Sequence, residues 1–299
     1  MKSLGRLLTA MITPFDERGA LDLTEAARIA TFLVERGNDG VVLGGSTGEG
    51  NSLDTDEKLA LFDAVKQALG RRATVIAGTG DNNTRRSIVL TKAAEACGVD
   101  AALLTVPAYV KPTQDGLLAH FGAIAEATTL PCILYNIPSR TGANMLPATY
   151  LELTRRYRNI VGIKESSGDI NQFTTILRGT VREDTTFWVG DDNLFLPSLA
   201  VGGYGVISVV GHLAGLELRA LADAFVAGDV ERAGAIHRDL APLIAALFAT
   251  SSPIPVKWAM STYGFHVGAC RSPLSAIPPA LQATLEPLIA PYRPEWARS

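Results

Sequence analysis

The sequence predicts an α/β fold, a (β/α)8 TIM barrel with a C-terminal helical extension. Three observations predict it. Eight short apolar runs lack polar alternation, helix-length amphipathic stretches separate them, and no strand pattern follows Gly228. Strands buried on both faces, as in a parallel sheet, carry uninterrupted Val, Ile and Leu. Eight of them alternating with helices suggest closure into a barrel. A doubly wound open sheet is the rival fold, because sequence pattern does not reveal closure.

In chain order the runs are Leu7–Thr13, Gly40–Gly45, Thr74–Gly78, Ala101–Val106, Cys132–Asn136, Ile160–Lys164, Thr186–Gly190 and Gly205–Val209. Amphipathic stretches between them include Leu23–Arg36, Asp56–Leu69, Arg85–Ala96 and Asp115–Ala127. Asp22 with Glu25, and Asp54 with Glu57, have the spacing of capping boxes, in which an N-cap acid and the third helical residue satisfy each other's backbone N–H groups. Residues 1–227 therefore read as the (β/α)8 barrel. Residues 228–299 read as a helical region packed on it, with helices over Val230–Phe248, Pro255–Thr262 and Pro279–Leu288.

Composition narrows the function. Of 299 residues, 47% are hydrophobic and 19% charged, which fits a well-packed enzyme rather than a disordered chain. A net charge of −3 supplies no field to hold nucleic acid or an anionic membrane, so neither is expected as a partner. Cys97, Cys132 and Cys270 are odd in number, far apart and set in apolar surroundings, which reads as reduced core thiols in a cytoplasmic protein. The first residues lack a signal-peptide pattern, and no run approaches the length of a membrane helix. His120, His212, His237 and His266 show no metal-ligand spacing, so no metal is expected.

Polar residues collect where the predicted strands end: Gly44-Gly45-Ser46-Thr47-Gly48-Glu49, Pro107-Ala108-Tyr109, Tyr135-Asn136, Lys164-Glu165 and Gly190-Asp191-Asp192. In a barrel these ends converge on one mouth, where active sites are built. Lys164 closes an apolar strand. Desolvation there favours its neutral amine, which can attack a ketone and form an imine. A lysine snorkelling at a strand end, or paired with an acid, fits the same position. Tyr135 and Tyr109 can shuttle protons, or can be structural. Ser46 and Thr47 can offer hydroxyls and backbone N–H groups to a carboxylate, or can form a plain turn. Arg140 can clamp a carboxylate through two parallel hydrogen bonds, or can be solvated. The glycines form neither a dinucleotide fingerprint nor a P-loop.

Taken together and in order, several segments resemble the dihydrodipicolinate synthase family. They are Gly45–Glu49, Ala77–Gly80, Tyr109–Gly116, Tyr135–Gly142, Gly162–Glu165, Gly190–Asp192, Gly205–Val209 and Pro253–Lys257. The resemblance spans nearly the whole chain. It implies that pyruvate condenses with L-aspartate 4-semialdehyde to 4-hydroxy-tetrahydrodipicolinate, on the route to diaminopimelate and lysine. It implies a Schiff base on Lys164 with no other cofactor, Tyr135 as general acid/base, and a proton relay through Ser46 and a neighbouring subunit's Tyr109. It further implies that Thr47 holds the pyruvate carboxylate, Arg140 the semialdehyde carboxylate, and that backbone groups of Gly190 and Ile207 line the pocket. The assembly implied is a homotetramer built from two tight dimers.

The departures are specific. Ser46 stands where the synthases usually carry threonine, and serine is what the related N-acetylneuraminate lyases show. Arg140 favours the synthases, since the sialic-acid lyases lack it. Ala108, Lys58 and Arg86 replace the tyrosine, histidine and glutamate of lysine-inhibited members, which implies weak or absent inhibition by lysine. Two other functions remain in view: a Schiff-base aldolase for N-acetylneuraminate or a 2-keto-3-deoxy sugar acid, and a non-catalytic keto-acid sensor. A sensor would need the Lys164, Tyr135, Tyr109 and Ser46 set broken, and all four are present.

Overall fold

A computed structural model describes residues 3–297; the two residues at each end of the expected barrel-plus-extension division lie outside them. Eight parallel strands close into one barrel in sequence order. They are β1 (Leu7–Ala10), β2 (Gly40–Leu43), β3 (Thr74–Gly78), β4 (Ala101–Thr105), β5 (Cys132–Asn136), β6 (Ile160–Glu165), β7 (Thr186–Val189) and β8 (Gly205–Ser208). Closure is made by β8 beside β1, with Ile207 opposite Leu8. That pairing excludes the open sheet.

Around the barrel run α1 (Leu23–Glu35), α2 (Thr55–Leu69), α3 (Thr84–Ala96), α4 (Gln114–Glu126), α5 (Pro138–Thr141), α6 (Pro147–Arg156), α7 (Ile170–Gly179), α8 (Phe195–Ala200) and α9 (Gly215–Val226). The extension holds α10 (Val230–Leu247), α11 (Ile254–Thr262) and α12 (Pro279–Ile289). α10 lies against α9, and α12 packs on α10 and α11. The segment after α11 returns to the barrel, where Phe15 N–H donates to the Val267 carbonyl at 3.0 Å.

The strand wall separates two apolar cores. Leu8, Val42, Ile76, Leu103, Ile133, Trp188 and Ile207 fill the interior, while the opposite faces of the strands pack on the helices. This is the physical reason the runs show no polar alternation: both faces are buried. Trp188 occupies the interior and donates its indole N–H to the Gly5 carbonyl at 2.9 Å. Gly162 makes room for it, because a methyl there would lie 2.7 Å from Trp188 Cζ3.

Strand ends depart from the sequence reading in both directions. β1 and β2 stop at Ala10 and Leu43, short of the expected Thr13 and Gly45, and Gly44 at φ 63° turns the chain out of the sheet. β6 instead runs one residue past Lys164, because Glu165 pairs with both Asn136 and Val189. The capping box at Asp54 and Glu57 forms in full. The one at Asp22 and Glu25 forms by half. Asp22 accepts from Glu25 N–H, but the Glu25 carboxylate takes Arg28 and the His266 N–H instead. Charged and tertiary partners outcompete the local return bond.

Candidate active site

Lys164 and Tyr135 are register neighbours on β6 and β5. The lysine is only 5% exposed, and its Nζ lies 4.2 Å from the centroid of the Tyr135 ring. Burial lowers the Lys164 amine to about 8; the carboxylates of Asp191 and Asp192 oppose this by favouring the ammonium, and Arg140 pushes the same way as burial. Burial also pushes the Tyr135 phenol well above its ordinary value, Asp191 adding to the effect and Arg140 countering it. The amine thus has a substantial neutral fraction at physiological pH, far above that of an exposed lysine, while the phenol keeps its proton.

Two residues to which the sequence reading gave no role join this pair. The Asp191 carboxyl is raised chiefly by burial, with Lys164 pulling it back down. Ser166 neighbours both Tyr135 and Asp191, and its Oγ is buried without a well-formed hydrogen bond among the described residues. The available signal was the Asp191-Asp192 doublet after an apolar strand. Asp192 itself turns to β8, accepting from Ser208 Oγ and from the N–H groups of Val209 at 3.0 Å and Val210 at 3.3 Å. It fixes the β7 and β8 ends relative to each other.

Gly190 lies directly against the lysine stem: a methyl there would stand 2.7 Å from Lys164 Cε. Its N–H is spent on the Glu165 carbonyl at 2.9 Å. Ile207 is fully buried in the interior on β8. Glu165 points away from the amine into a polar network. Its carboxylate accepts from Asn136 Nδ2 at 3.1 Å and from Ser167 N–H at 2.7 Å, and Asn136 Oδ1 accepts from Met145 N–H at 2.9 Å. This network clamps the β5 and β6 ends that carry Tyr135 and Lys164.

Thr47 is buried and Ser46 exposed in the turn after β2. Among the described residues neither hydroxyl nor either backbone N–H has a hydrogen-bond partner. The donors are therefore free for an anion. Arg140 sits exposed in α5, after β5. The loop after β4 is tied to it by Tyr109 N–H donating to the Thr141 carbonyl at 3.1 Å. Tyr109 has φ 71° and Lys111 φ 45°, both in the left-handed region. Side chains rarely occupy that region without a constraint. The Tyr109 ring is 90% exposed, so within one chain it does not join Tyr135 and Lys164. Cys132 lies among the helix-facing core residues at the opposite end of β5 from the Tyr135 end, and burial pushes its thiol up to about 12. It has no place in the mouth.

The sequence matches the dihydrodipicolinate synthetase family over residues 3–290. It is 56% identical to the 4-hydroxy-tetrahydrodipicolinate synthase of Moorella thermoacetica, over 90% of this chain and 92% of that protein. Dihydrodipicolinate synthase from Bacillus anthracis superposes with a TM-score of 0.94 at 40% identity, covering 97% of this chain and 98% of that one. The enzyme from Cyanidioschyzon merolae, solved with lysine bound, also gives 0.94, at 42% identity over 95% and 97%. A buried lysine beside a protonated tyrosine at the mouth of a closed barrel, matched along nearly its whole length, places this chain in the dihydrodipicolinate synthetase family.

Proposed function

We propose that the chain is a lyase of the class I aldolase type that joins pyruvate to L-aspartate 4-semialdehyde, giving 4-hydroxy-tetrahydrodipicolinate. The observation that carries this reading is the desolvated Lys164 amine, held against Tyr135 and facing Asp191. The neutral amine attacks the pyruvate ketone, water leaves, and a protonated imine forms. Loss of a C3 proton gives the enamine, whose carbon attacks the aldehyde. The amine of the semialdehyde then attacks the imine carbon, closes the ring and releases Lys164.

Tyr135 moves the protons, keeping its own until a step requires it. Ser46 and a Tyr109 from a second copy of the chain complete the relay; the exposed, strained Tyr109 suits a residue that works across an interface. The unpartnered donors of Ser46 and Thr47 suit the pyruvate carboxylate. Arg140, next to the same mouth, takes the semialdehyde carboxylate, and backbone groups of Gly190 and Ile207 line the pocket. The covalent imine leaves no step that needs a further cofactor. The working form is a homotetramer of two tight dimers in the cytoplasm. No helix among the described residues is long and apolar enough to cross a membrane.

The test is turnover of pyruvate and aspartate semialdehyde, coupled to purified dihydrodipicolinate reductase and followed by NADPH loss. Lys164→Ala abolishes turnover and Arg140→Ala raises the semialdehyde KM. Labelling of Lys164 by pyruvate and borohydride without any turnover would move the substrate to a sugar acid such as N-acetylneuraminate.

A further inference from the structure

Glu49 ends the turn that presents Ser46 and Thr47, and it does so at φ 51°, in the left-handed region. A non-glycine residue stays there only when its surroundings over-determine it. Its carboxylate is fully buried, and both oxygens are taken by the C-terminal extension. Lys257 of α11, with a side chain 2% exposed, donates Nζ–H to Oε1 at 2.7 Å. Arg271 donates its backbone N–H to Oε2 at 2.8 Å.

The two cations are themselves fixed. Lys257 Nζ also donates to the Ala269 carbonyl at 3.0 Å. The Arg271 guanidinium reaches the carbonyls of Gly19 and Ser52 and the Glu57 carboxylate. Both cations lie over the Phe15 ring, each 4.2 Å from its centroid. Within the turn, Glu49 N–H donates to the Ser46 carbonyl at 3.2 Å and Gly50 N–H to the Gly45 carbonyl at 3.0 Å. Thr13 Oγ1 holds the Gly48 carbonyl at 2.6 Å. A shift at Glu49 is therefore transmitted to the two residues whose donors stand free.

A buried ion pair is a poor way to gain stability, since apolar residues of similar volume usually do as well. Its directional bonds do set orientation. We propose that Lys257 is a positioning residue for the pyruvate site: with Arg271 it holds Glu49 so that Ser46 and Thr47 aim their donors at the pyruvate carboxylate. The extension is thereby a working part of a site whose other residues all lie on the barrel. This inference rests on the reading that Thr47 holds that carboxylate.

The test compares the parent with Lys257→Met/Glu49→Gln, which removes both charges and strands neither, and with Thr47→Val as a control. A misplaced contact far from the chemistry costs up to about 100-fold, so the double variant is expected to raise the pyruvate KM by roughly tenfold or more. The semialdehyde KM should stay near the parent's, and circular dichroism should show a folded chain. Borohydride trapping of pyruvate on Lys164 should need correspondingly more pyruvate. A double variant with a lowered melting temperature but the parent's pyruvate KM would reduce the pair to a structural one and overturn the proposal alone. An unchanged pyruvate KM in Thr47→Val would remove the reading beneath it, and the proposal with it.

Discussion

Gly190 and Lys164 touch. A methyl group on Gly190 would sit 2.7 Å from Lys164 Cε and 2.1 Å from Ser166 Oγ. Neither distance is sterically tolerable, so Gly190→Ala must displace both the lysine stem and the serine, or shift its own backbone. Overpacking of this kind costs about 1–3 kcal/mol, which a barrel of this size survives. The catalytic amine does not survive it equally well, because small misplacements cost about 100-fold in rate. Gly190→Ala should therefore fold, lose roughly 10- to 100-fold in kcat/KM for pyruvate, and label more slowly with pyruvate and borohydride. Parent-like labelling would show that the mouth relaxes around the methyl.

The amine at about 8 sets the acid limb of the reaction. Below that pH Lys164 is increasingly an ammonium and does not attack. The kcat/KM for pyruvate should rise with pH and level off above about 8. Asp191 favours the ammonium, so its carboxylate holds this limb up. Asp191→Asn removes that attraction and should move the limb to lower pH, the direction opposite to the loss of a general base. A pH–rate profile of parent and variant decides it, and an unmoved limb would place Asp191 outside the reach of Lys164.

What the sequence discloses of this site follows from geometry along the chain. Lys164 and Tyr135 stood out because each lies within one residue of the end of an apolar strand, and strand ends in a closed barrel converge; their roles came from the resemblance. Ser166 was not, since one residue beyond a strand end carries no periodic signal. Glu49 was quoted only as part of a turn. Its partners Lys257 and Arg271 lie more than 200 residues away, and nothing local marks such a pairing. The failed half of the Asp22–Glu25 box has the same origin: its competitor, the His266 N–H, comes from the far end of the chain. Local pattern predicts elements and their ends; it is blind to long-range polar partners.

Lysine should inhibit weakly or not at all. Lys58 on α2 is half-buried, which lowers its amine, and Asp81 opposes that effect. Arg86 on α3 adds a second positive charge. An incoming lysine ammonium would meet like charge at both positions, with no carboxylate at residue 86 to receive it. Millimolar lysine should leave the coupled rate unchanged, whereas Lys58→His/Arg86→Glu should gain sensitivity. Inhibition of the parent at submillimolar lysine would overturn this expectation.

Stability should fall on acidification through a buried histidine. His212 is 1% exposed; its Nε2 accepts the Ile12 N–H at 3.0 Å, and its Nδ1 lies 2.8 Å from the Val209 carbonyl. An Nε2 that accepts must be unprotonated, so the ring is neutral with its hydrogen on Nδ1. Burial lowers it to about 4, with the Val209 contact opposing. The unfolded chain takes up this proton below its ordinary value near 6.5, whereas the native state refuses it until about 4. The unfolded state therefore binds more protons across that window. Stability is fully present above pH 6.5 and declines as pH falls toward 4, by up to about 3 kcal/mol from this residue. His120, lowered to about 4 by the same cause, adds to the slope. Urea midpoints at neutral pH and near pH 5 measure the decline. His212→Gln retains an acceptor for Ile12 and should flatten it by about half, the His120 share remaining. An equal slope in parent and variant would mean that the native ring takes up its proton at the same pH as the unfolded one.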